Sequence, residues 1–314
     1  MKKQIEIAPM LDWTDSFFRQ FLRLITKDAI LYSEMIAEQA IAHGDLHKLL
    51  DFSPFELPLI LQVGGSTPAL MANAAQKAAE FGYTGININA GCPSERVFAG
   101  SFGACLMADP KRVAACVKAM RSASNLEVSI KTRIALDNGQ DEEQSFDSCC
   151  YFIETTHKSG CDKYIIHARL ARLKGLTPKE NRQKIALNYP LVYRVKKEFP
   201  KLNILINGNI TSTDQIVDHL QYMDGVMIGR WAYAKPYELA NIDATFFGDT
   251  HDVLSRKEIL ERLMPIIVIA PKPLHLTRHL MGLYWGTPYS KAFKQTLLAN
   301  SVRAIEDFLQ KTDL

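Results

Sequence analysis

The sequence predicts an α/β protein, a (β/α)8 TIM barrel followed by a small, all-helical C-terminal domain. Three observations carry that expectation. Short apolar, β-branched runs recur eight times over the first three quarters of the 314 residues. Segments of helical periodicity separate most of them, and apolar strands alternating with helices mark a parallel sheet covered on both faces. Beyond about residue 240 no strand-like run recurs, and helical segments take over. Eight units favour a closed barrel of about 250 residues; six would have favoured an open, doubly wound sheet.

The strand runs are 5–10, 29–33, 59–63, 85–89, 127–131, 163–167, 203–207 and 225–228. Helix 68–81 is rich in Ala, and Gly82 suits the position just past its end. Helix 110–120 opens on Asp109-Pro110, an N-cap followed by proline in the first helical position. Helix 145–158 precedes Gly160, and helix 212–220 follows Thr211, which with Asp214 resembles a capped start. Residues 255–269 and 290–310 read as further helices, in a region punctuated by Pro265, Pro271, Pro273 and Pro288. Residues 1–240 are therefore expected to form the barrel and 255–314 the appended domain, with a linker near 241–254.

Composition narrows the class. Apolar residues at 47% and charged residues at 23% suit a globular chain and exclude disordered and collagen-like ones. No uncharged apolar run approaches the roughly 18 residues of a membrane span. Met-Lys-Lys leads directly into the first strand without the apolar segment of a signal peptide, so a cytoplasmic protein is expected. Six cysteines, with no Cys-x-x-Cys spacing, suggest neither a disulfide scaffold nor a metal site. A net charge of +3 permits a polyanionic partner without requiring one.

In a barrel the active site is built where the strands end. Nearly every strand here ends in polar or glycine-rich residues: Pro9-Met10 with Asp12, Ser33-Glu34, Gln62 with Gly64-Gly65, Asn87 and Asn89 with Gly91-Cys92-Pro93, Lys131 and Arg133, His167 and Arg169, Asn207-Gly208-Asn209, and Gly229-Arg230. One polar residue after one strand is only where a loop begins; eight coincident cases point to an active rim. The last two ends occupy the usual phosphate position of this fold, where glycine lets backbone N–H groups approach the oxygens. Asn209 tolerates the left-handed conformation, and Arg230 supplies a fixed cationic fork.

Lys131 shares the inward side of its strand with Ser129, where a lysine can stabilise an anion. The Gln62 amide can bond a heterocycle edge as donor and acceptor together. His167, taken alone, reads as a packed imidazole. Cys92 lies between Gly91 and Pro93 on the rim, where a thiol can serve as nucleophile or general acid. No protease-like Cys/His arrangement accompanies it, which favours proton donation. Cys105 is its rival, whereas Cys116, Cys149 and Cys150 fall within helices.

Taken together, Ala8-Pro9-Met10-Leu11-Asp12-Trp13-Thr14-Asp15, Leu61-Gln62-Val63-Gly64-Gly65, Asn87-Ile88-Asn89-Ala90-Gly91-Cys92-Pro93-Ser94, Lys131-Thr132-Arg133, His167-Ala168-Arg169, Asn207-Gly208 and Gly229-Arg230 resemble the flavin-dependent tRNA-dihydrouridine synthases. Phe102-Gly103-Ala104-Cys105-Leu106-Met107, Gly175-Leu176-Thr177-Pro178-Lys179-Glu180-Asn181-Arg182 and Thr277-Arg278-His279-Leu280-Met281-Gly282-Leu283 are similar to the DusA subfamily, which reduces uridines 20 and 20a of the tRNA D-loop. Asn209 departs from the pattern, which commonly has a second glycine there.

The resemblance implies bound FMN and transient NADPH, with hydride passing from flavin N5 to uracil C6 and a proton from Cys92 to C5. It implies that Pro9 and Met10 line the flavin and that Gln62, Lys131 and His167 contact it. Asn207, Gly208, Asn209, Gly229 and Arg230 would hold its phosphate. Asn89 would face the uridine, and Arg96, Arg182, Lys291 and Lys294 would touch tRNA. No Gly-x-Gly-x-x-Gly follows a strand, so NADPH is expected to dock over the flavin and not in a Rossmann domain. No metal, membrane or obligate protein partner is implied. The motifs at strands five to eight also suit an FMN-dependent free-pyrimidine or dihydroorotate-type oxidoreductase, and the tail alone suits a non-enzymatic tRNA-binding protein. The tail argues against the first, because a small-molecule enzyme needs no docking domain. The Cys92 loop and the rim argue against the second.

Overall fold

The computed structural model describes residues 3–94, 102–299 and 301–311. Eight strands are present: β1 (Gln4–Ile7), β2 (Leu31–Ala37), β3 (Leu59–Gly64), β4 (Gly85–Ala90), β5 (Glu127–Arg133), β6 (Lys163–His167), β7 (Asn203–Asn207) and β8 (Gly225–Ile228). They pair in parallel in the order β1-β8-β7-β6-β5-β4-β3-β2. The two edges meet through a parallel bridge between Glu6 and Ile30. There the Ile7 N–H donates to the Ile30 carbonyl at 2.8 Å and the Ile30 N–H to that of Ile5 at 3.0 Å. These bonds close the sheet into the expected α/β barrel.

The period-2 alternation of each strand divides two environments. One set of strand side chains, including Ile86, Ile88, Val128, Ile130, Ile204 and Ile206, packs outward in the main core. Ala8, Tyr32, Ile60, Ile165, Leu205 and Met227 form a separate cluster inside the barrel. At the N-terminal end of β6 the interior holds a buried ion pair, with Lys163 Nζ 2.8 Å from Glu6 and 3.2 Å from Glu127. The Tyr32 hydroxyl donates to the other Glu6 oxygen at 2.8 Å. Charges this deeply buried persist only when paired.

Strands β6, β7 and β8 coincide with the sequence expectation, while β2 does not. Expected at 29–33, it runs to Ala37, because a bulge between Tyr32 and Met35 shifts its register against β3. The polar Ser33-Glu34 pair interrupts the apolar run and conceals the continuation.

Asp109 caps helix Pro110–Ala123 through the Arg112 N–H, and Gly82 has φ +85°. The cap of helix Thr213–His219 is Ser212 and not Thr211: the Ser212 side chain accepts from the Gln215 N–H, while the Thr211 N–H is itself bound by the Gln215 amide.

Past β8 the chain is helical. The stretch expected as a linker contains helix Ile242–Phe247, closed by Gly248 in the left-handed conformation. Its Asp243 carboxylate accepts from Thr26 Oγ1 and the Lys27 N–H, which ties it to the barrel. Helix Arg256–Ile269 starts at a Ser255/Glu258 capping box and carries Pro265 within it. The expected single helix 290–310 is two, Ser290–Leu298 and Val302–Lys311. The second has its own start, where the Ser301 hydroxyl accepts from the Ala304 N–H. Tyr284, Phe293 and Phe308 pack ring against ring between these helices, with centroids 4.5–5.2 Å apart.

The helical region grips the barrel at its active rim. His279 Nε2 lies 2.9 Å from Asp15, and the Arg278 guanidinium donates to the Asp12 carbonyl at 2.9 Å. Gly282 sits so close to the Ala234 carbonyl that a Cβ would overlap it. Among the described residues no helix is long and apolar enough to cross a membrane.

Candidate active site at the C-terminal rim

A chain of amides lines the mouth between β3 and β5. Gln62 Nε2 donates to Asn87 Oδ1 at 2.8 Å, and Asn87 Nδ2 donates to Ser129 Oγ at 2.9 Å. Asn89 Nδ2 donates to Gln62 Oε1 at 3.0 Å. These bonds fix which end of the buried Gln62 amide is donor and which is acceptor, and leave it one N–H and one lone pair for a ligand.

Asn89 also shapes the loop after β4. Its Oδ1 accepts from the N–H groups of Gly91 and Cys92 at 3.1 and 3.0 Å, and its second Nδ2 proton points to Met35 Sδ. All four hydrogen-bonding positions of its amide are thus engaged within the protein. The expected contact between Asn89 and a substrate base would require it to release one of them. Arg133 braces the same loop, donating to the Gly91 carbonyl at 3.0 Å and the Leu170 carbonyl at 2.8 Å. The Cys92 carbonyl accepts from the Ala104 N–H at 2.9 Å. The half-buried Cys92 thiol is therefore carried on a loop fixed from three directions. Its rival Cys105 donates to the Phe102 carbonyl, and burial pushes its thiol up, which keeps it protonated and unreactive.

Across the mouth, Lys131 Nζ donates to Asn207 Oδ1 at 3.1 Å, and Asn207 Nδ2 donates to the Met227 carbonyl at 2.8 Å. This relay joins β5, β7 and β8 and aims the lysine. Burial, followed by repulsion from Arg133, pushes Lys131 down to about 8. Burial and the charges of Arg133, Lys131, Arg169 and Arg182 hold His167 well below its ordinary value, so it is neutral near pH 7. Arg169 NH1 lies 3.4 Å from His167 Nε2. A guanidinium only donates, which places the imidazole proton on Nδ1.

Lys131, Arg133, Arg169, Arg182 and Arg230 thus act on one another's charges. Cations gathered in this way form a site for an anion. The backbone beside them is shaped to match. Gly208 has φ +135°, and a Cβ there would press on Leu187 and His167. Asn209 takes φ +53°, the left-handed conformation anticipated for it. Gly229 precedes Arg230, which opens helix Arg230–Ala234.

The remaining expected residues divide. Pro9 and Met10 are half-buried at the end of β1, where Thr14 Oγ1 accepts from the Met10 N–H at 3.0 Å. Arg182 joins the cationic cluster at the mouth. Lys291 is exposed on helix Ser290–Leu298. Lys294 lies with its Nζ 5.5 Å from the Trp285 ring centroid, and Lys235 stands 5.0 Å from the same ring. Arg96 lies outside the described residues. Arg133 and Arg169 were not among the expected site residues, although their places at the ends of β5 and β6 were visible in the sequence. Nothing local in the sequence signals the grip of Arg278 and His279 on the β1 loop.

The chain is 46% identical over 305 residues to a tRNA-dihydrouridine(20/20a) synthase of Shewanella oneidensis, covering 96% of this chain and 90% of that one. It is 45% identical to the protein of the same name from Synechocystis sp., with 96% and 90% coverage. It is 44% identical to that of Escherichia coli O6:H1, with 97% and 92% coverage. Among solved structures, morphinone reductase in complex with tetrahydroNAD shares the fold, with a TM-score of 0.54 at 12% identity over 77% of this chain and 86% of that one. Residues 6–312 match the profile described as dihydrouridine synthase (Dus), and the chain belongs to that family.

Proposed function

We propose that this protein is a tRNA-dihydrouridine synthase that reduces the C5–C6 bond of uridine at D-loop positions 20 and 20a, with FMN bound and NADPH as reductant. The observation that carries this reading is the Cys92 loop, braced by Asn89 and Arg133 at the barrel rim, in a chain whose near full-length relatives bear that activity in their names. The rim fits FMN: it offers a cluster of cations, a Gly208-Asn209 turn already in the left-handed region, and a Gln62 amide of fixed polarity. Asn207, Gly208, Asn209, Gly229 and Arg230 would hold the phosphate, Gln62, Lys131 and His167 the ring system, and Pro9 and Met10 its edge.

When bound, FMN supplies the reducing equivalent for the uracil ring. The chain's own residues do the rest. Lys131, aimed by Asn207, would place positive charge beside the bound flavin. Neutral His167 presents Nδ1–H as a donor. Asn89 and Arg133 hold the Cys92 loop in place, and Cys92 Sγ delivers a proton to C5, a contribution worth about 10²–10⁴ in rate for general acids. Residues 1–240 form the catalytic part and 255–314 the tRNA-docking part, with Arg96, Arg182, Lys291 and Lys294 on the RNA. The enzyme works in the cytoplasm.

The test uses the purified protein with unmodified tRNA and NADPH, followed by nucleoside mass spectrometry. A yellow protein that forms dihydrouridine mapping to positions 20 and 20a is expected. A colourless protein, or one that reduces free pyrimidine and leaves tRNA untouched, contradicts the reading.

A further inference from the structure

Leu11, in the turn after β1, has a place the reaction leaves unexplained. It is 62% exposed, between Met10 of the rim and Asp12. Single exposed leucines are ordinary; what sets this one apart is the backbone that carries it. Asp12 has φ +64°, the left-handed conformation, which aspartate takes more readily than most residues with a side chain. The turn is fixed from every side. The Asp12 N–H donates to a Glu34 carboxylate oxygen from β2. The Asp12 carbonyl accepts from Arg278 of the helical region at 2.9 Å. Thr14 Oγ1 accepts from the Met10 N–H at 3.0 Å and lies 3.1 Å from the Met10 carbonyl. The Trp13 ring stacks on Tyr233 with centroids 4.2 Å apart. A turn this firmly held, at the mouth of an active site, is a rigid support for the leucine it carries.

An apolar side chain on a rigid support at such a mouth suits one task. A uridine inside folded tRNA is stacked, and it must leave the stack before a buried rim can reach its ring. Apolar side chains inserted between bases hold nucleic acids unstacked. We propose that Leu11 is the wedge that fills the space vacated by the target uridine, and that the Glu34, Thr14, Tyr233 and Arg278 contacts keep it from yielding. Leu11 is a positioning residue and touches no reacting atom. The inference rests on the tRNA reading above.

The test compares wild type, Leu11→Ala and Leu11→Met as flavin-loaded enzymes, on tRNA carrying 2-aminopurine next to the target uridine. Four quantities are measured: flavin reduction by NADPH, tRNA affinity, single-turnover dihydrouridine formation, and 2-aminopurine fluorescence on binding. Leu11→Ala is expected to keep flavin reduction within twofold and affinity within a few-fold. Its dihydrouridine formation should fall at least tenfold and the fluorescence rise should disappear, with Leu11→Met restoring both. The wedge is overturned if Leu11→Ala forms dihydrouridine at the wild-type rate, if its loss leaves the fluorescence rise intact, or if Leu11→Met is no better than alanine. Wild type that forms no dihydrouridine at all overturns the tRNA reading, and the wedge falls with it.

Discussion

Lys131 shows how much chemistry one residue's surroundings decide. Burial and neighbouring arginines bring its proton affinity to about 8, so the free protein loses this charge just above neutral pH. An anion bound beside it favours the charged form and raises that value. The sign follows: above pH 8 binding takes up a proton, and affinity falls with rising pH by up to tenfold per unit. Flavin titrated into apoprotein between pH 7 and 9.5 is expected to bind progressively more weakly above pH 8, with Lys131→Met showing a flat profile. Equal slopes in the two proteins would remove Lys131 from the site. At this scale the sequence was most legible where chemistry is local. Asn209 in the left-handed region and the rim thiol Cys92 could both be read from residue type and neighbours. The engagement of the Asn89 amide could not, because its partners Gln62 and Met35 lie on other strands.

At the scale of elements, the close approach of the β4 loop to β5 is the decisive contact. A Cβ at Gly91 would lie 3.1 Å from the Thr132 carbonyl carbon and 3.3 Å from its Cα. Both are backbone atoms held in the sheet, so the loop would have to move. Gly91→Ala is expected to retain flavin and lose dihydrouridine formation by about tenfold, because the loop has to yield by a few tenths of an ångström; turnover within twofold of wild type would show that the loop's position is not critical. The same scale explains which elements could be read. Strands β6, β7 and β8 are continuous apolar runs bounded by polar residues, and their limits were plain. β2 was concealed by a bulge and by Ser33, whose hydroxyl accepts from the Gln62 N–H of β3 at 3.0 Å. Ser212 and Thr211 are both good caps by type, and only geometry separates them. The break between helices Ser290–Leu298 and Val302–Lys311 carries no proline or glycine at the described residues around it, and only the cap residue Ser301 marks it, so the periodicity reads as continuous.

The whole molecule couples two parts through the β1 loop. His279 and Arg278 reach Asp15 and Asp12 from the helical region, so the part proposed to dock tRNA also holds the turn that meets the base. With a net charge of only +3, RNA affinity has to come from a few placed cations. Each phosphate contact contributes a slope of about −0.7 to −0.9 to the logarithmic dependence of affinity on salt. A Lys291/Lys294 double alanine variant should therefore shallow that slope by about 1 to 2, as followed by filter binding across salt concentrations. An unchanged slope removes both lysines from the interface.

The central claim is that Cys92 is the proton donor on a loop braced by Asn89 and Arg133. The most direct measurement is dihydrouridine formation by purified Cys92→Ala, quantified by nucleoside mass spectrometry beside wild type at equal flavin content. The protein should remain yellow, with flavin reduction by NADPH unchanged, and product formation should fall by about 10²–10⁴. Wild-type yields of dihydrouridine from Cys92→Ala would contradict the account.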